Sequence, residues 1–337
     1  MLNKAKKTRK IFAFTISGLS ILLIALFFVS MFVGRYSIPA KDVFAFFVGK
    51  DISDLSFRVI KFLRIPRTII ALLVGIALSV SGAVYQSAFN NKLVSPDLLG
   101  VSSGASVGAC LAILLGLSSA LISLFSFIAG FIAVILTVII ASIFKNKGNI
   151  ILLLSGIAVG GLMSSFVGLI KYLADNELKL AEMTYWLLGD ISGSTYNNIY
   201  VLAPIVVVFT SIIMLFSWKL NIISLGEKDA RSLGVNYKLT MLIMIACATA
   251  LTAGAVSVSG TIGWIGLVIP NLVRLIVGSD NRKVIPISIL TGASFMIIVD
   301  MFARSLAPNE IPLSIITGII GTPLFILSIF MRRKDIR

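Results

Sequence analysis

The chain has 337 residues, of which 58% are hydrophobic and 13% charged, and it contains no histidine. With a mean hydropathy of +1.05, it lacks the polar surface that a soluble domain of this size needs. Its net charge of +15 is read as Lys and Arg gathered in cytoplasmic loops, where they orient helices, rather than as a nucleic-acid footprint. The missing histidine removes the commonest general base and metal ligand together.

The basic start MLNKAKKTRK leads into about 23 apolar residues with no small-residue cleavage site, so it reads as a retained first span and not a signal peptide. Ten spans are expected, at 11–34, 65–88, 98–116, 119–144, 150–173, 199–218, 239–259, 262–279, 284–304 and 311–331. Blocks of about 20 apolar residues match a ~30 Å hydrocarbon core. Lipid offers no partner for backbone polar groups, so such blocks are helices. The short alternating segments of an outer-membrane barrel do not occur. The expected class is all-α, a polytopic bundle forming one domain over 1–337. Its cytoplasmic parts are 1–10, a loop at 221–238 and a tail at 332–337. The eighth span carries Pro270 and Arg274 and is tolerable only against protein.

With the N-terminus inside, 19 of the 29 basic residues fall on the cytoplasmic side, as orientation by positive charge requires. Seven of the other ten crowd into one outer segment: Arg35, Lys41, Lys50, Arg58, Lys61, Arg64 and Arg67. That concentration suits an acidic partner or an anionic solute, although a first loop also tolerates charge once orientation is set.

Chemistry is scarce. There is no phosphate-binding G-x-x-x-x-G-K-[ST] loop, no H-E-x-x-H and no cysteine-rich cluster. Cys110 and Cys247 sit apart in apolar blocks and read as packing residues. Asp300 has Arg304 four residues on, the spacing of a local ion pair on one helix face. A lone acid beside its own arginine gives poor support to ion coupling, so the energy for transport is expected from another subunit. The loop NIISLGEKDARSLGVNYK, residues 221–238, offers a place for it: helix formers at 227–233 stand between Gly226 and Gly234.

At this loop the chain resembles the permease subunits of type II ABC importers, the family for iron–siderophore, haem and cobalamin uptake. The likeness runs from about Arg64 to Arg333. It rests on LRIPRTIIALLVGIALSVSGAVYQ (63–86), SPDLLGVSSGASVGA (95–109), YWLLGDISG (185–193), LGEKDARSLGV (225–235), VSGTIGWIGLVIPNLVRLIVGSD (258–280) and DMFARSLAPNEIPLSIITGIIGTPLF (300–325). The resemblance implies that Gly226, Arg231, Ser232, Leu233 and Gly234 belong to a coupling helix seated in a cytoplasmic ATPase. It implies that Arg64, Arg67 and Arg304 grip acidic residues of an extracytoplasmic binding protein. It also implies a second permease copy or paralogue, a place in the bacterial cytoplasmic membrane and no cofactor of the chain's own. Departures from the family pattern are Asn271 for the usual His, Lys92 for a Pro, and Thr261 and Trp264 where Pro and Phe are commoner.

Overall fold

The computed structural model describes residues 2–144, 149–174 and 176–335, the side chains of 2–10, 149 and 332–335 excepted. Lys145, Lys147, Arg337 and the side chains of the two basic terminal clusters, used above for orientation, therefore lie outside it. Fifteen α-helices and no strand occur among the described residues. They are α1 Leu2–Phe32, α2 Ala40–Val48, α3 Asp54–Arg58, α4 Ile65–Ala88, α5 Val101–Leu114, α6 Ser119–Ile143, α7 Asn149–Tyr172 and α8 Glu177–Leu188. The remainder are α9 Tyr196–Leu215, α10 Ser217–Ile223, α11 Glu227–Ser232, α12 Tyr237–Ser259, α13 Ile265–Val277, α14 Asn281–Ala303 and α15 Leu313–Asp335. Eight helical segments are long and apolar enough to cross a membrane, and α5 and α13 are shorter apolar helices. Together they account for the ten expected spans.

The link that follows α1 is largely helical. A π-helical turn, Val59–Arg64, joins α3 to α4, so one helical segment runs over Asp54–Ala88. The expected start at residue 65 is thus eleven residues late, because the basic, β-branched 58–64 stretch interrupts the apolar pattern without interrupting the helix.

α4, α12 and α14 form the centre. Their apolar windows are 83%, 78% and 61% buried, against 28% or less for α6, α7, α9 and α15. Small residues make this possible, since they let helix backbones approach closely. Gly75 meets the Gly292 backbone and Gly82 meets that of Gly266. α4 and α14 run antiparallel, with Ser79 donating to the Ser288 carbonyl at 2.8 Å and Ser87 to Asn281 at 2.7 Å. α13 packs on α4, α14 and α15, and its Pro270 and Arg274 are buried, as a polar span requires.

Two ends result. One gathers the link after α4, α10, α11 and the turn before α14, since Asn221 reaches both Asp280 and Asn281. The other gathers α2, α3 and the links after α8 and α14, with Tyr196 Oη donating to the Lys61 carbonyl at 2.7 Å. One link departs from this plan. Residues 94–99 fold back into the bundle, with Val94, Pro96 and Leu99 buried, and a 3₁₀ turn over Pro96–Leu99 precedes α5.

Candidate functional site: two polar ends and a short projecting helix

At the α10–α11 end, Gly226 and Gly234 have φ of +107° and +74°, a region that favours glycine. They bracket α11. Its C-terminus closes with the Gly234 amide on the Arg231 carbonyl and the Val235 amide on the Ala230 carbonyl, the paired bonds of a left-handed helix cap. Ala230 and Val235 face the bundle. Arg231, Ser232, Leu233 and Gly234 are exposed, and Arg231 holds Glu227 at 2.6 Å on the same face. An exposed leucine thus stands beside an exposed arginine at the end of α11.

This projection is tied to the core by polar side chains. Asn221, in α10, donates to Asp280 at 2.7 Å and accepts from both the Asn281 backbone amide and its side chain at 2.8 Å. Asn281 accepts from Ser87, which accepts from Arg274 at 2.9 Å. Arg274 also donates to Gln86. Partial burial works against the Asp280 charge, but hydrogen bonds from Arg282 and Asn221 outweigh it and hold the carboxyl below its ordinary range. Nothing in the sequence joins these residues, which lie as much as 194 positions apart. Asn271, at the position where the family has His, donates to the Lys92 carbonyl at 2.9 Å and so secures the link after α4.

At the opposite end the three arginines that the resemblance singles out are brought together, but inside. Arg64, Arg67 and Arg304 are 4%, 7% and 4% exposed. Arg67 bonds Asp300 at 2.7 Å and Glu310 at 2.9 Å. Arg304 donates to the Ser30 carbonyl at 2.9 Å and faces Asp300 at 3.4 Å, a separation at which Asp300 Oδ2 and Arg304 Nε are not hydrogen-bonded. The expected Asp300–Arg304 contact is therefore present, while the stronger partner of Asp300 is Arg67. Arg64 has no carboxylate partner in this group and donates to the Met31 and Tyr36 carbonyls. The three guanidinium groups and Glu310 line a recess of about 250 Å³ together with Gly34, Arg35, Tyr36 and Ser192, and Asp300 lies buried behind Arg67. Lys41, Lys50, Arg58 and Lys61 are exposed along the segment that leads from α2 to α4.

Thr261 and Trp264, the other departures, occupy the turn between α12 and α13. Thr261 donates to the Leu187 carbonyl. Trp264 has φ +72°, a strained value for a bulky residue, and its ring lies over Gly318 and Gly321 of α15. Among the described residues no group of three His, Cys, Asp or Glu could hold a metal ion. Cys110 and Cys247 are both buried free thiols.

The description that fits residues 22–332 is the FecCD transport family. The chain is 36% identical over 321 residues to a molybdate import permease, MolB, of Haemophilus influenzae, covering 94% of this chain and 95% of that protein. It is 34% identical to the hemin transport permease HmuU of Yersinia pestis, with the same two coverages. A probable iron chelatin permease of Helicobacter pylori is 36% identical over 86% of this chain and 87% of its own length. Among solved structures, an inward-facing conformation of a metal-chelate type ABC transporter superposes with a TM-score of 0.85 at 36% identity, covering 94% of this chain and 98% of that one. With a bundle of the same fold and a family match over nearly its whole length, the chain belongs to the FecCD transport family of ABC importer permeases.

Proposed function

We propose that the chain is the membrane subunit of an importer for an iron(III)–siderophore complex, with a haem or cobalamin cargo as the alternative. Two copies, or this chain and a paralogue, enclose the route, and a separate ATPase drives it from the cytoplasmic side. The α11 end faces the cytoplasm in this reading, both chain termini lie on that side, and the bundle sits in the bacterial cytoplasmic membrane. The observation that carries the reading is α11 itself. It is a six-residue helix clamped between two left-handed glycines, with its contact residues outward and a polar chain from Asn221 to Arg274 behind it. Movement of the projection reaches α4, α13 and α14 through that chain. Cargo is carried whole, because the bundle supplies no metal-ligating set among the described residues. The relatives handle molybdate, hemin and iron chelatin, so cargo choice is assigned to the binding protein.

The test is uptake of labelled ferric hydroxamate, hemin, cobalamin and molybdate into vesicles. These hold the permease with its ATPase and binding protein, or with an ATPase that cannot hydrolyse ATP. Uptake of the ferric chelate only with the active ATPase is expected. Uptake that persists with the inactive ATPase and collapses on adding an ionophore would sink the reading in favour of an ion-coupled carrier.

Docking of the binding protein is assigned to the basic end. There Arg35, Arg64, Arg67 and Arg304 outnumber Asp300 and Glu310 by two positive charges at the recess, and the exposed lysines and arginines of 41–61 add to its attraction for acidic side chains. Arg58→Glu with Lys61→Glu is expected to slow docking about tenfold or more at low salt and much less at 0.5 M. Both residues are exposed, so the fold is spared. An association rate unchanged at low salt contradicts the assignment.

A further inference from the structure

The 94–99 link carries one acid, Asp97. Asp97 stands in a recess of about 370 Å³ between the 3₁₀ turn, α5, α7, α8 and the 261–263 turn. Ser102, Ser103, Ser106, Ser164 and Thr261 line it with hydroxyls. Ser102 donates to the Asp97 carboxylate. Ser106 and Ser164 donate to carbonyls of their own helices and Thr261 to that of Leu187, so each turns oxygen lone pairs to the recess.

The depth of this group can be read from its neighbours. The Leu99 carbonyl accepts from Thr137, six residues inside the end of α6. The Leu98 carbonyl presses on Gly156, seven residues inside α7. The Pro96 ring presses on Gly266, which faces the Leu78 carbonyl ten residues before the end of α4. At 1.5 Å per residue these offsets put Asp97 roughly 10–15 Å inside the helix ends.

Pro96 and Leu99 are buried, yet Asp97 is exposed on the single chain. A carboxylate at that depth is not turned to lipid; it faces water or protein. The neighbouring surface of α7 agrees. Ser164 and Ser165 are exposed and Gly161 and Gly168 have open space above them, interleaved with exposed Leu162, Phe166 and Leu169, so this surface is mixed rather than uniformly aliphatic. On α6 the exposed large side chains include Leu121, Leu124, Ile128, Ile132, Ile135 and Ile139, an aliphatic surface suited to hydrocarbon.

We infer that the Asp97 recess lines the water-filled route within the spans, and that its lone carboxylate favours cationic solutes over anions there. This rests on the permease reading above and adds to it a place and a charge preference. No other charged side chain lines the recess among the described residues. Serine hydroxyls satisfy a passing solute without holding it, which is what a route needs and a storage site does not.

The test needs no knowledge of the cargo. In full-length permease reconstituted with its ATPase, Cys110→Ala and Cys247→Ala give a thiol-free background. Into it are placed Ser103→Cys, Ser164→Cys or, as a control on the aliphatic face, Ile135→Cys. Each is treated with the cationic trimethylammonium-ethyl and the anionic sulfonatoethyl methanethiosulfonate. The cysteines at 103 and 164 are expected to react with both reagents and to prefer the cation at least about tenfold, the lower end of what a charged cleft achieves. Asp97→Asn should bring the ratio close to one and Asp97→Glu should keep it. The cysteine at 135 should stay unreactive. The inference is overturned if 103 and 164 are as unreactive as 135, which is also the result for a dry seam between two copies, or if Asp97→Asn leaves the ratio unchanged. Labelling reads water and charge without ATP hydrolysis, so its outcome is separate from that of the uptake test.

Discussion

Asp300→Ala is expected to cost about 3–5 kcal/mol of stability, the scale seen when one member of a buried ion pair is removed and its partner stays charged. Asp300 is 1% exposed and is shared by Arg67 at 2.7 Å and Arg304 at 3.4 Å. Without it three guanidinium groups keep only Glu310, which is itself partly exposed. Arg67 loses its shortest bond, and Arg304 is left with the Ser30 carbonyl. The measurement is equilibrium unfolding in mixed micelles, compared with Asp300→Leu combined with Arg67→Met. Replacing both members of a buried pair by apolar groups is often close to neutral, so the double variant should recover a large part of the loss. A single variant within 1 kcal/mol of the wild type would show that the cluster is well hydrated and that its charges are not held as drawn.

Gly82→Ala is the second large effect. A β-carbon there would lie 1.9 Å from the Gly266 carbonyl oxygen and 2.7 Å from the Gly266 α-carbon, so only movement of α13 away from α4 can admit it. Overpacked cores lose about 1–3 kcal/mol and occasionally more; because backbone meets backbone here, the upper end or beyond is expected. The same movement would stretch the bonds from Gln86 to the Gly266 and Leu267 carbonyls. Gly161→Ala is the matched control. Nothing lies within 4 Å of its new methyl group, and alanine in a helix interior is worth about 0.5–1 kcal/mol over glycine. Unfolding midpoints should therefore move in opposite directions for the two substitutions.

How much of this was legible in the sequence differs by element. The spans were, because lipid leaves the backbone only the helix, and about 20 apolar residues in a row have no other explanation. α11 was legible for a local reason as well: its glycines and acidic first turn all lie within nine residues. The basic end was legible only as a concentration of charge. Arg67 finds its carboxylates 233 and 243 positions away, and a single sequence holds no signal for such pairing, so the burial of Arg64, Arg67 and Arg304 was not legible in it. The chain from Asn221 to Arg274 was hidden for the same reason. Asp97 could have been found. An acid inside S-P-D-L-L-G, followed by serines at 102, 103 and 106, is an unusual start for an apolar helix. The expected span at 98–116 begins just after Asp97, so the acid, which lies between Pro96 and Gly100, stands outside the apolar pattern. In the fold, those two residues turn the chain back into the bundle.

The central claim is that energy enters this bundle from a separate ATPase at α11. Its most direct measurement is co-purification of that ATPase, together with ATP-driven uptake, for Arg231→Glu combined with Gly234→Trp. Both positions are exposed, so the bundle outside α11 should keep its expression level. Tryptophan strains the +74° backbone at Gly234, and Arg231→Glu alone, free of that strain, should weaken association in the same direction. The account predicts that ATPase association weakens at least about tenfold, as for a reversed charge at a docked interface, and that uptake falls with it. Wild-type association and wild-type uptake in this double variant would contradict the account.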